Sequence, residues 1–572
     1  MRRFLLLGLL VVAAGGGAAG ALARGAHGAG NVEPAVSLRA SDMAPVPGDR
    51  VVFRGRVTPF RAGKQVRFQQ LGRGGWRTVA APRLSHSSGF SLARRLTSSG
   101  AVAFRVVLPA GARSASASSP PLSLSVSEIH MIKHVVVIMQ ENRSFDQYFG
   151  TFPGAEGIPG VAGNPGKMPC VPDPLGTHCS KPFRDRNDEN FGGPHGQSNA
   201  AADMDCTDLA TRSGCRMDGF VAQAEKGKSC TTLAPNCSPC KGSSNKQGCL
   251  DVMGYHDSAD IPNYWTYAHD FVLQDHMYEP NASWSLPQHL FLVSEWAAVC
   301  SDPSNAFSCK NEIQRDVRPN GKLLYAWTDI TYLLHRFGVS WRYYVFKGTE
   351  PDCEQDTQMT CSPKPQAAKT PGIWNPLPSF TDVTADSQRS NVKSLSGLFA
   401  AAKAGSLPAV SWVIPNGTVS EHPTGLVSAG QTYVTGLINA IMQSPDWSST
   451  AIFLTWDDWG GFYDQTVPPA VDQNGYGLRV PGMVISPYAK SGYVDHQTLS
   501  QDAYNKFIED DFLSGQRLDP STDGRPDPRP DVRESNPQLG SLMTDFNFSQ
   551  QPRSPVLLPV CPSTDLRPQP TC

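Results

Sequence analysis

Acidic residues and cysteines are scarce in the N-terminal part of this 572-residue chain, and long apolar runs are missing from nearly all of it. Residues 32–125 hold 14 lysines and arginines but three acidic residues, a net charge of +11. They contain no cluster of His, Asp or Glu, which excludes them as a seat of metal or acid–base chemistry. After residue 23 no run is long and apolar enough to span a bilayer, so no transmembrane segment is expected there.

The remainder of the chain differs from this basic region in charge. Leaving out Arg2, Arg3 and Arg24, it holds 33 basic and 48 acidic residues, a net charge of −15. A chain of this length is also too long for one hydrophobic core. Two or more domains of different character are therefore predicted.

The first 23 residues have the order of a secretory signal. Met1-Arg2-Arg3 precedes an apolar run over residues 4–14, and small residues follow up to Ala21-Leu22-Ala23. This order predicts a signal peptide over residues 1–23 and a secreted or cell-envelope protein. The alternative, a membrane anchor, is disfavoured because the run is short for a bilayer. Arg2-Arg3 leaves both general and twin-arginine export open.

The 14 cysteines all lie after residue 169, and many are closely spaced. The close pairs are Cys170/Cys179, Cys206/Cys215, Cys300/Cys309, Cys353/Cys361 and Cys561/Cys572. In an exported protein such pairs predict disulfides that pin surface loops. A zinc site is the alternative for the four cysteines Cys230, Cys237, Cys240 and Cys249.

Residues 32–127 predict a small all-β domain. Short runs alternate apolar and polar side chains between Gly, Pro and Ser turns, as at Val102, Phe104, Val106 and Leu108. This pattern is typical of an Ig-like β-sandwich. Its excess of arginine predicts contact with an anionic cell surface, either lipid or wall; the alternative is a solvated face without a ligand.

Residues 129–545 predict an α/β domain with a parallel sheet. Mostly β-branched or apolar runs occur at residues 134–140, 410–414, 451–455 and 480–485, and residues 433–443 have helical periodicity. Strands that alternate with helices favour a parallel sheet. Residues 155–250 predict a disulfide-pinned excursion without a core of its own, and residues 546–572 a C-terminal tail.

Polar clusters follow three of these runs. Glu141-Asn142 follows the first, His422 comes shortly after the second, and Asp457-Asp458 follows the third. Ligands in open α/β sheets bind beyond the carboxyl ends of the strands. Oxygen ligands suit Mg²⁺, Ca²⁺ or Mn²⁺, and a histidine extends the choice to Zn²⁺. Taken singly, each cluster also fits a helix cap or a turn.

The sequence resembles a family of bacterial phosphoesterases that includes phospholipases C and an acid phosphatase. The matching stretches are residues 132–150 (IKHVVVIMQENRSFDQYFG), 217–220, 253–255, 260–262, 420–423, 456–464, 478–495 and 506–510. The resemblance spans about residues 129–515. It implies an alkaline-phosphatase-like α/β fold, a parallel-sheet sandwich here preceded by the small all-β domain. It also implies a metal-activated covalent nucleophile.

The resemblance implies a role for seven side chains. The expected metal ligands are Glu141, Asn142, Asp457 and Asp458, and the expected catalytic residues are Ser285, His195 and His422. Ser285, in the segment SLPQH, is the candidate nucleophile, with Ser283 as the fallback. A serine requires a base or a metal to become nucleophilic. The two histidines are candidates to bind phosphate oxygens or to protonate the leaving alcohol.

Two glutamines depart from the family pattern. Gln465 follows Asp464, and Gln501 lies between Ser500 and Asp502, where relatives are expected to have histidine. Glutamine forms hydrogen bonds but cannot shuttle protons. If those histidines serve the site, turnover or substrate preference differs in this chain.

The leading hypothesis is an exported, metal-dependent phosphoesterase that works through a phosphoserine intermediate. A phospholipase C-like enzyme acting on phosphodiester lipids is favoured. The alternatives are an acid phosphatase and a catalytically weakened envelope-binding protein. No nucleic-acid partner is expected.

Overall fold

The computed structural model describes residues 33–111, 115–174, 178–226, 251–315, 324–354 and 357–570. The predicted signal peptide and the possible zinc ligands Cys230, Cys237, Cys240 and Cys249 lie outside these ranges. The chain divides into two compact units. The smaller comprises the described parts of residues 33–42, 50–94 and 102–123, and the larger the rest. Across the described ranges, every helix is too short or too polar to span a bilayer.

The strands are β1 (Ala35–Ala40), β2 (Arg50–Thr58), β3 (Arg67–Gly72), β4 (Gly75–Ala80), β5 (Gly89–Arg95), β6 (Gly100–Leu108), β7 (Ala117–Ser118), β8 (Leu122–Val126), β9 (His134–Gln140), β10 (Phe183–Arg184), β11 (Gly254–Tyr255), β12 (Val272–Gln274), β13 (Met277–Tyr278), β14 (Ala298–Cys300), β15 (Cys309–Asn311), β16 (Trp341–Val345), β17 (Gly348–Glu350), β18 (Lys364–Gln366), β19 (Val392–Ser394), β20 (Val410–Ile414), β21 (Thr450–Trp456), β22 (Gly482–Ile485), β23 (Tyr493–Asp495) and β24 (Leu499–Ser500). The α-helices of the described ranges are α1 (Phe145–Phe149), α2 (Gln197–Met204), α3 (Phe220–Lys226), α4 (Pro262–Asp270), α5 (Ser285–Ser294), α6 (Ile330–Arg336), α7 (Thr381–Ala385), α8 (Ser396–Ala404), α9 (Val427–Met442) and α10 (Asp502–Phe512).

The smaller unit is built from two sheets, in which the pairs β1–β2, β3–β4, β3–β6 and β6–β7 are antiparallel. One sheet has the order β1-β2-β5, and the other has the order β4-β3-β6-β7, with β8 also paired to β6. Phe53, Phe68 and Phe104 are fully buried, and their rings contact one another at centroid distances of 4.8–5.1 Å. Alternation along β2, β3 and β6 directs these rings into one core. The all-β character follows from this pattern, and the Ig-like topology stays a prediction.

The larger unit contains an eight-stranded mixed sheet of order β19-β16-β20-β9-β21-β22-β12-β23. The first five strands are mutually parallel, as predicted for an α/β fold. The prediction was wrong for the run at residues 480–485, because β22 is antiparallel to both β21 and β12. Residues 457–481, which join β21 to β22, contain no helix. Antiparallel neighbours need no crossover helix, whereas parallel ones usually do.

The strands that carry the predicted site are central in this sheet. β9 is flanked by β20 on one side and β21 on the other, both parallel to it. Its residues from Val135 to Gln140 are buried, which explains the nearly continuous apolar run. The predicted helix at residues 433–443 is part of α9, whose Val434, Leu437 and Ile441 are buried.

Disulfides pin several loops of the larger unit. The bonds Cys170–Cys179, Cys206–Cys215, Cys300–Cys309 and Cys353–Cys361 confirm four predicted pairs. The described part of residues 155–250 contains the helices α2 and α3. They bury Met204 and Phe220 in an apolar cluster that includes Trp459 after β21, so this region shares its core with the rest of the larger unit.

Residues 546–570, the described part of the predicted tail, form no helix or strand, yet they are ordered against the larger unit. Asn439 of α9 exchanges two hydrogen bonds with the main chain of Leu558. Arg184 contacts Asp565 at 3.0 Å, and Leu566 is fully buried. The tail is thus held along the surface of the α/β unit.

Candidate active site

A carboxylate cluster lies where β9 and β21 end side by side. Its four side chains are fully buried: Glu141, Asn142, Asp457 and Asp458. The register pairs Trp456 with Gln140, so the two polar turns begin at the same level of the sheet. The main-chain N–H of Asn142 donates to Asp457 Oδ1 at 2.9 Å, and its Nδ2 donates to Asp458 Oδ1 at 2.8 Å. Asn142 therefore ties both strand ends together.

The turn after β21 requires its two glycines. Gly460 and Gly461 have φ angles of +62° and +73°. A Cβ on Gly460 would lie 2.5 Å from the main-chain oxygen of Asn142, and one on Gly461 would lie 2.4 Å from Gly193 Cα. Only glycine avoids both the strain and the clash. The turn can thus pack against Asn142 and against the segment that carries His195.

Ser285 begins α5 and faces the carboxylate cluster. Its hydroxyl lies 3.3 Å from Glu141 Oε2 and 3.3 Å from Asp458 Oδ2. One turn later, His289 Nε2 lies 3.0 Å from Glu141 Oε1 and 4.0 Å from Asp457 Oδ2. Residues four apart share a helix face, so α5 presents both side chains to the same site.

The carboxylate cluster carries more negative charge than its surroundings balance. Burial, reinforced by Asp457, raises the pKa of both Glu141 and Asp458 well above the usual range. Asp457 Oδ2 and Asn142 Oδ1 are buried without a hydrogen-bond partner. Among the described residues, no lysine or arginine forms an ion pair with these carboxylates. Unpartnered oxygens and uncompensated charge are what a divalent cation would satisfy, so these residues fit a metal.

A histidine cluster of His195, Asp352 and His422 is the second buried group that could hold an ion. Asp352 Oδ1 lies 3.3 Å from His195 Nε2 and 3.7 Å from His422 Nε2. The Nδ1 atoms of the two histidines contact the carbonyls of Gly193 and Pro423, which leaves both Nε2 atoms toward the aspartate.

The charges of the histidine cluster compensate one another. Burial lowers the pKa of His195, but Asp458 and Asp352 outweigh burial and raise it to about 10. Burial likewise opposes ionisation of Asp352, yet its contacts with His195 and His422 hold its pKa far below the usual range. An imidazolium beside an ionised carboxylate, close enough to Asp458 to be influenced by its charge, is able to donate a proton.

The seven predicted site residues fall into these two neighbouring groups. Ser283, the fallback nucleophile, does not face the cluster, because its hydroxyl donates to the main-chain oxygen of Ile313. Sequence reasoning gave no role to His289 or Asp352. The four-residue spacing between Ser285 and His289 could have indicated that His289 faces the same site. Asp352 lies in a loop beside Cys353, and no sequence pattern indicates its role.

Two glutamines occupy positions where the family pattern has histidine. Gln465 directs its amide to the main-chain oxygens of Glu156 and Gly157. Gln501 is fully buried, and neither of its amide atoms has a hydrogen-bond partner. Neither side chain hydrogen-bonds to a member of the two clusters.

A buried serine hydroxyl between two carboxylates, with unpartnered oxygens and a histidine nearby, is an arrangement that suits metal-assisted hydrolysis. The sequence profile of the phosphoesterase family matches residues 132–513, well over half of the chain. The chain belongs to the phosphoesterase family, a group of phosphoester hydrolases.

Several curated phospholipases C are similar to this chain. A non-hemolytic phospholipase C of Burkholderia pseudomallei is 27% identical over 450 residues, which cover 68% of this chain and 57% of that enzyme. Phospholipase C A of Mycobacterium tuberculosis is 26% identical over 501 residues, which cover 80% of this chain and 85% of that enzyme. This chain therefore spans little more than half of the Burkholderia relative. The solved structure of a phosphonate monoester hydrolase, SpPMH from Silicibacter pomeroyi, superposes with a TM-score of 0.26 at 13% identity. The match covers 49% of this chain and 73% of that one, and a TM-score this low carries no argument about fold or function.

Proposed function

We propose that this protein is an exported, metal-dependent phosphoesterase of phospholipase C type, with Ser285 as its nucleophile. The observation that carries the proposal is the position of the Ser285 hydroxyl, 3.3 Å from carboxylate oxygens of both Glu141 and Asp458. A serine hydroxyl has little nucleophilicity unless a base or a cation favours its alkoxide. The two buried carboxylates beside the hydroxyl supply both a base and ligands for a cation.

Each cluster has a separate part in the proposed reaction. A divalent ion held by Glu141, Asn142, Asp457 and Asp458 would favour the Ser285 alkoxide and neutralise a phosphoryl oxygen. Ser285 Oγ gives its proton to one of the two carboxylates beside it and forms a bond to phosphorus, while the bond from phosphorus to the leaving oxygen breaks. His195, protonated on both ring nitrogens, donates a proton to the departing alcohol. Water then attacks phosphorus and gives a proton to the same histidine, while the bond from phosphorus to Ser285 Oγ breaks. Ser285 Oγ regains its proton from the carboxylate, and the phosphate product leaves.

The larger unit contains a cavity of about 600 Å³. Its walls include Ala201, Met204, Ala282, Ile313 and Arg212. Ala282 is three residues before Ser285 in the same buried segment. Gln197, Asp472 and Asn474 also line this cavity, so its wall is of mixed polarity. The preference for a lipid phosphodiester rests instead on the similarity of the chain to phospholipases C.

The proposal also covers compartment and cofactor. The four disulfides support an oxidising, extracytoplasmic location, in agreement with the expected signal peptide over residues 1–23. The oxygen ligands favour Mg²⁺, Ca²⁺ or Mn²⁺, and His289 beside Glu141 keeps Zn²⁺ in the set. The proposed domains remain residues 32–127 and 129–545, with an alkaline-phosphatase-like fold for the second.

The test compares wild type with Ser285→Ala on three substrates: a phosphomonoester, a soluble phosphodiester and phosphatidylcholine. We expect phosphatidylcholine to be cleaved on the glycerol side, and Ser285→Ala to lower kcat/KM by at least about 1,000-fold because the nucleophile is lost. The control is Ser283→Ala, whose hydroxyl bonds to Ile313 O and which should keep most of its activity.

Three other outcomes have distinct meanings. Activity confined to the phosphomonoester would identify an acid phosphatase. Folded wild type that is inactive on all three substrates, with metal supplied, would identify a binding protein. Full activity of Ser285→Ala would remove Ser285 as the nucleophile.

A further inference from the structure

The smaller unit carries an excess of positive charge. Residues 50–127 contain 13 lysines and arginines and not one Asp or Glu. Within the described part of this segment, the hydrogen bonds of arginine side chains go to carbonyls and to one glutamine. Such an excess of positive charge raises the local potential and attracts anions.

Part of this charge surrounds an exposed aromatic ring. Phe60 lies in the loop of residues 59–65, between β2 and β3, and 62% of its surface is exposed. Arg61 is next to it, Lys64 is exposed, and Arg83 Nη1 reaches the main-chain oxygen of Gly63 at 3.4 Å. We call Phe60, Arg61, Lys64 and Arg83 the cationic loop.

The cationic loop is held in its conformation before any ligand binds. The main-chain N–H of Arg61 donates to Ser88 Oγ at 2.6 Å, and the N–H of Gly63 donates to Leu84 O at 2.9 Å. Leu84 N–H in turn donates to Lys64 O at 2.8 Å. Because its backbone is pinned to residues 84–88, the loop would lose little conformational entropy on binding.

The outer face of the β1–β2 pair carries further positive charge, and β2 leads directly into this loop. Arg39 of β1 lies directly opposite Arg54 of β2, and Arg56 follows on the same face, opposite Ser37. Like charges placed opposite each other across two strands destabilise a sheet. An external anion would relieve this repulsion.

We propose that the cationic loop docks the protein on anionic phospholipid bilayers, with Phe60 entering the interface and the cations meeting lipid phosphates. Charge alone fits any polyanion, but an exposed phenylalanine among lysine and arginine fits the boundary between headgroups and acyl chains. The smaller unit would then retain the enzyme on the surface that contains the substrate proposed above. The docking itself does not depend on that catalytic proposal.

The experiment measures binding of the full chain to vesicles of phosphatidylcholine alone and of phosphatidylcholine with 30% phosphatidylglycerol, by co-sedimentation, in chelator so that lipid is not consumed. We expect binding to the anionic vesicles only, weakening as salt is added. Lys64→Ala/Arg83→Ala should weaken it about 25-fold, at about fivefold for each cation near the surface. Phe60→Ala should weaken it about tenfold through lost apolar burial.

The matched control is Arg73→Ala/Arg77→Ala, which removes the same charge from the hairpin of β3 and β4. Arg73 follows the end of β3 remote from the loop, so this variant should bind within about twofold of wild type. Equal losses from both double variants, or no binding by wild type, would overturn the proposal. So would binding that Phe60→Ala leaves unchanged, which would indicate a soluble polyanion as the partner. Turnover of a soluble phosphodiester, expected to be equal in all variants, separates these results from any failure of the catalytic proposal.

Discussion

The carboxylate cluster and the histidine cluster are both buried, and both are able to hold an ion, but they differ in origin and in charge. Glu141, Asn142, Asp457 and Asp458 extend directly from adjacent strands of one sheet. His195, Asp352 and His422 come from three loops that are distant in sequence. The first cluster has excess negative charge, whereas the charges of the second compensate each other. Each cluster has a buried carboxylate oxygen without a hydrogen-bond partner, Asp457 Oδ2 in the first and Asp352 Oδ2 in the second.

This difference indicates separate roles for the two clusters. An assembly of carboxylates that burial makes unfavourable requires an external cation, and binding a cation then repays the electrostatic penalty. A histidine whose positive charge is already balanced by Asp352 does not need a cation and would be opposed by one. The carboxylate cluster is therefore the expected metal site, and the histidine cluster the expected proton donor.

The largest expected effects come from exchanging one residue in each cluster. Asp457→Asn should remove the bound metal and lower kcat/KM by about 1,000-fold, since a cation contributes several kcal/mol to phosphoryl transfer. His195→Gln should lower kcat by about 100-fold, the range of one acid–base group, with the metal retained. Metal per chain is measured by elemental mass spectrometry, together with steady-state kinetics.

Asp302→Asn is the control for this pair. Asp302 is a surface carboxylate that accepts hydrogen bonds from Ser304, and its substitution should change neither metal content nor activity. Loss of metal from His195→Gln but not from Asp457→Asn would exchange the roles of the two clusters.

A smaller effect should also distinguish the two clusters, because one substitution in each is expected to change the free energy of unfolding in opposite directions. In chelator, Asp352→Asn should lower the free energy of unfolding by about 3 kcal/mol, because the His195 imidazolium loses its buried counterion. Glu141→Gln should raise it by about 1 kcal/mol at pH 8, because it removes a charge that burial disfavours. Chemical denaturation measures both.

The pH dependence of the free energy of unfolding checks the sign expected for Glu141→Gln. Its pKa is raised in the folded protein, so its contribution to stability is fully present below the unfolded pKa and is lost as pH rises through the folded pKa. Glu141→Gln should abolish this loss, and its advantage over wild type should shrink on acidification. Destabilisation of the metal-free protein by Glu141→Gln at pH 8 would mean that the cluster is not electrostatically strained.

The sequence predicts best those features that repeat a local rule. Buried apolar runs identified β9, β20 and β21, and parallel pairing brought Glu141 and Asp457 to one sheet edge. The antiparallel direction of β22 was missed, because a short apolar run is the same in either direction and only its connection decides.

The histidine cluster was only partly predictable for a related reason. His195 and His422 were chosen by resemblance to family positions, and no periodic pattern leads to them. Asp352 lies in a loop, and the residues next to it in sequence do not predict which residues it contacts in the folded protein. Long-range loop packing, such as the approach of Gly461 to Gly193, fixes this cluster and leaves no local signal.

The smallest expected effect concerns Gln465, where the family pattern has histidine. Its main-chain N–H donates to Asp146 Oδ2, and its amide donates to Gly157 O at 2.6 Å, so the side chain is committed to a loop rather than to Ser285. Gln465→His should therefore change kcat/KM by less than about threefold, within what loss of one hydrogen bond produces. The measurement is kcat/KM on a soluble phosphodiester, with Gln465→Ala to remove the hydrogen bond alone. A gain of tenfold or more in Gln465→His, but not in Gln465→Ala, would mean that a third proton-transfer group belongs to this site and that the two clusters do not make up its whole chemistry.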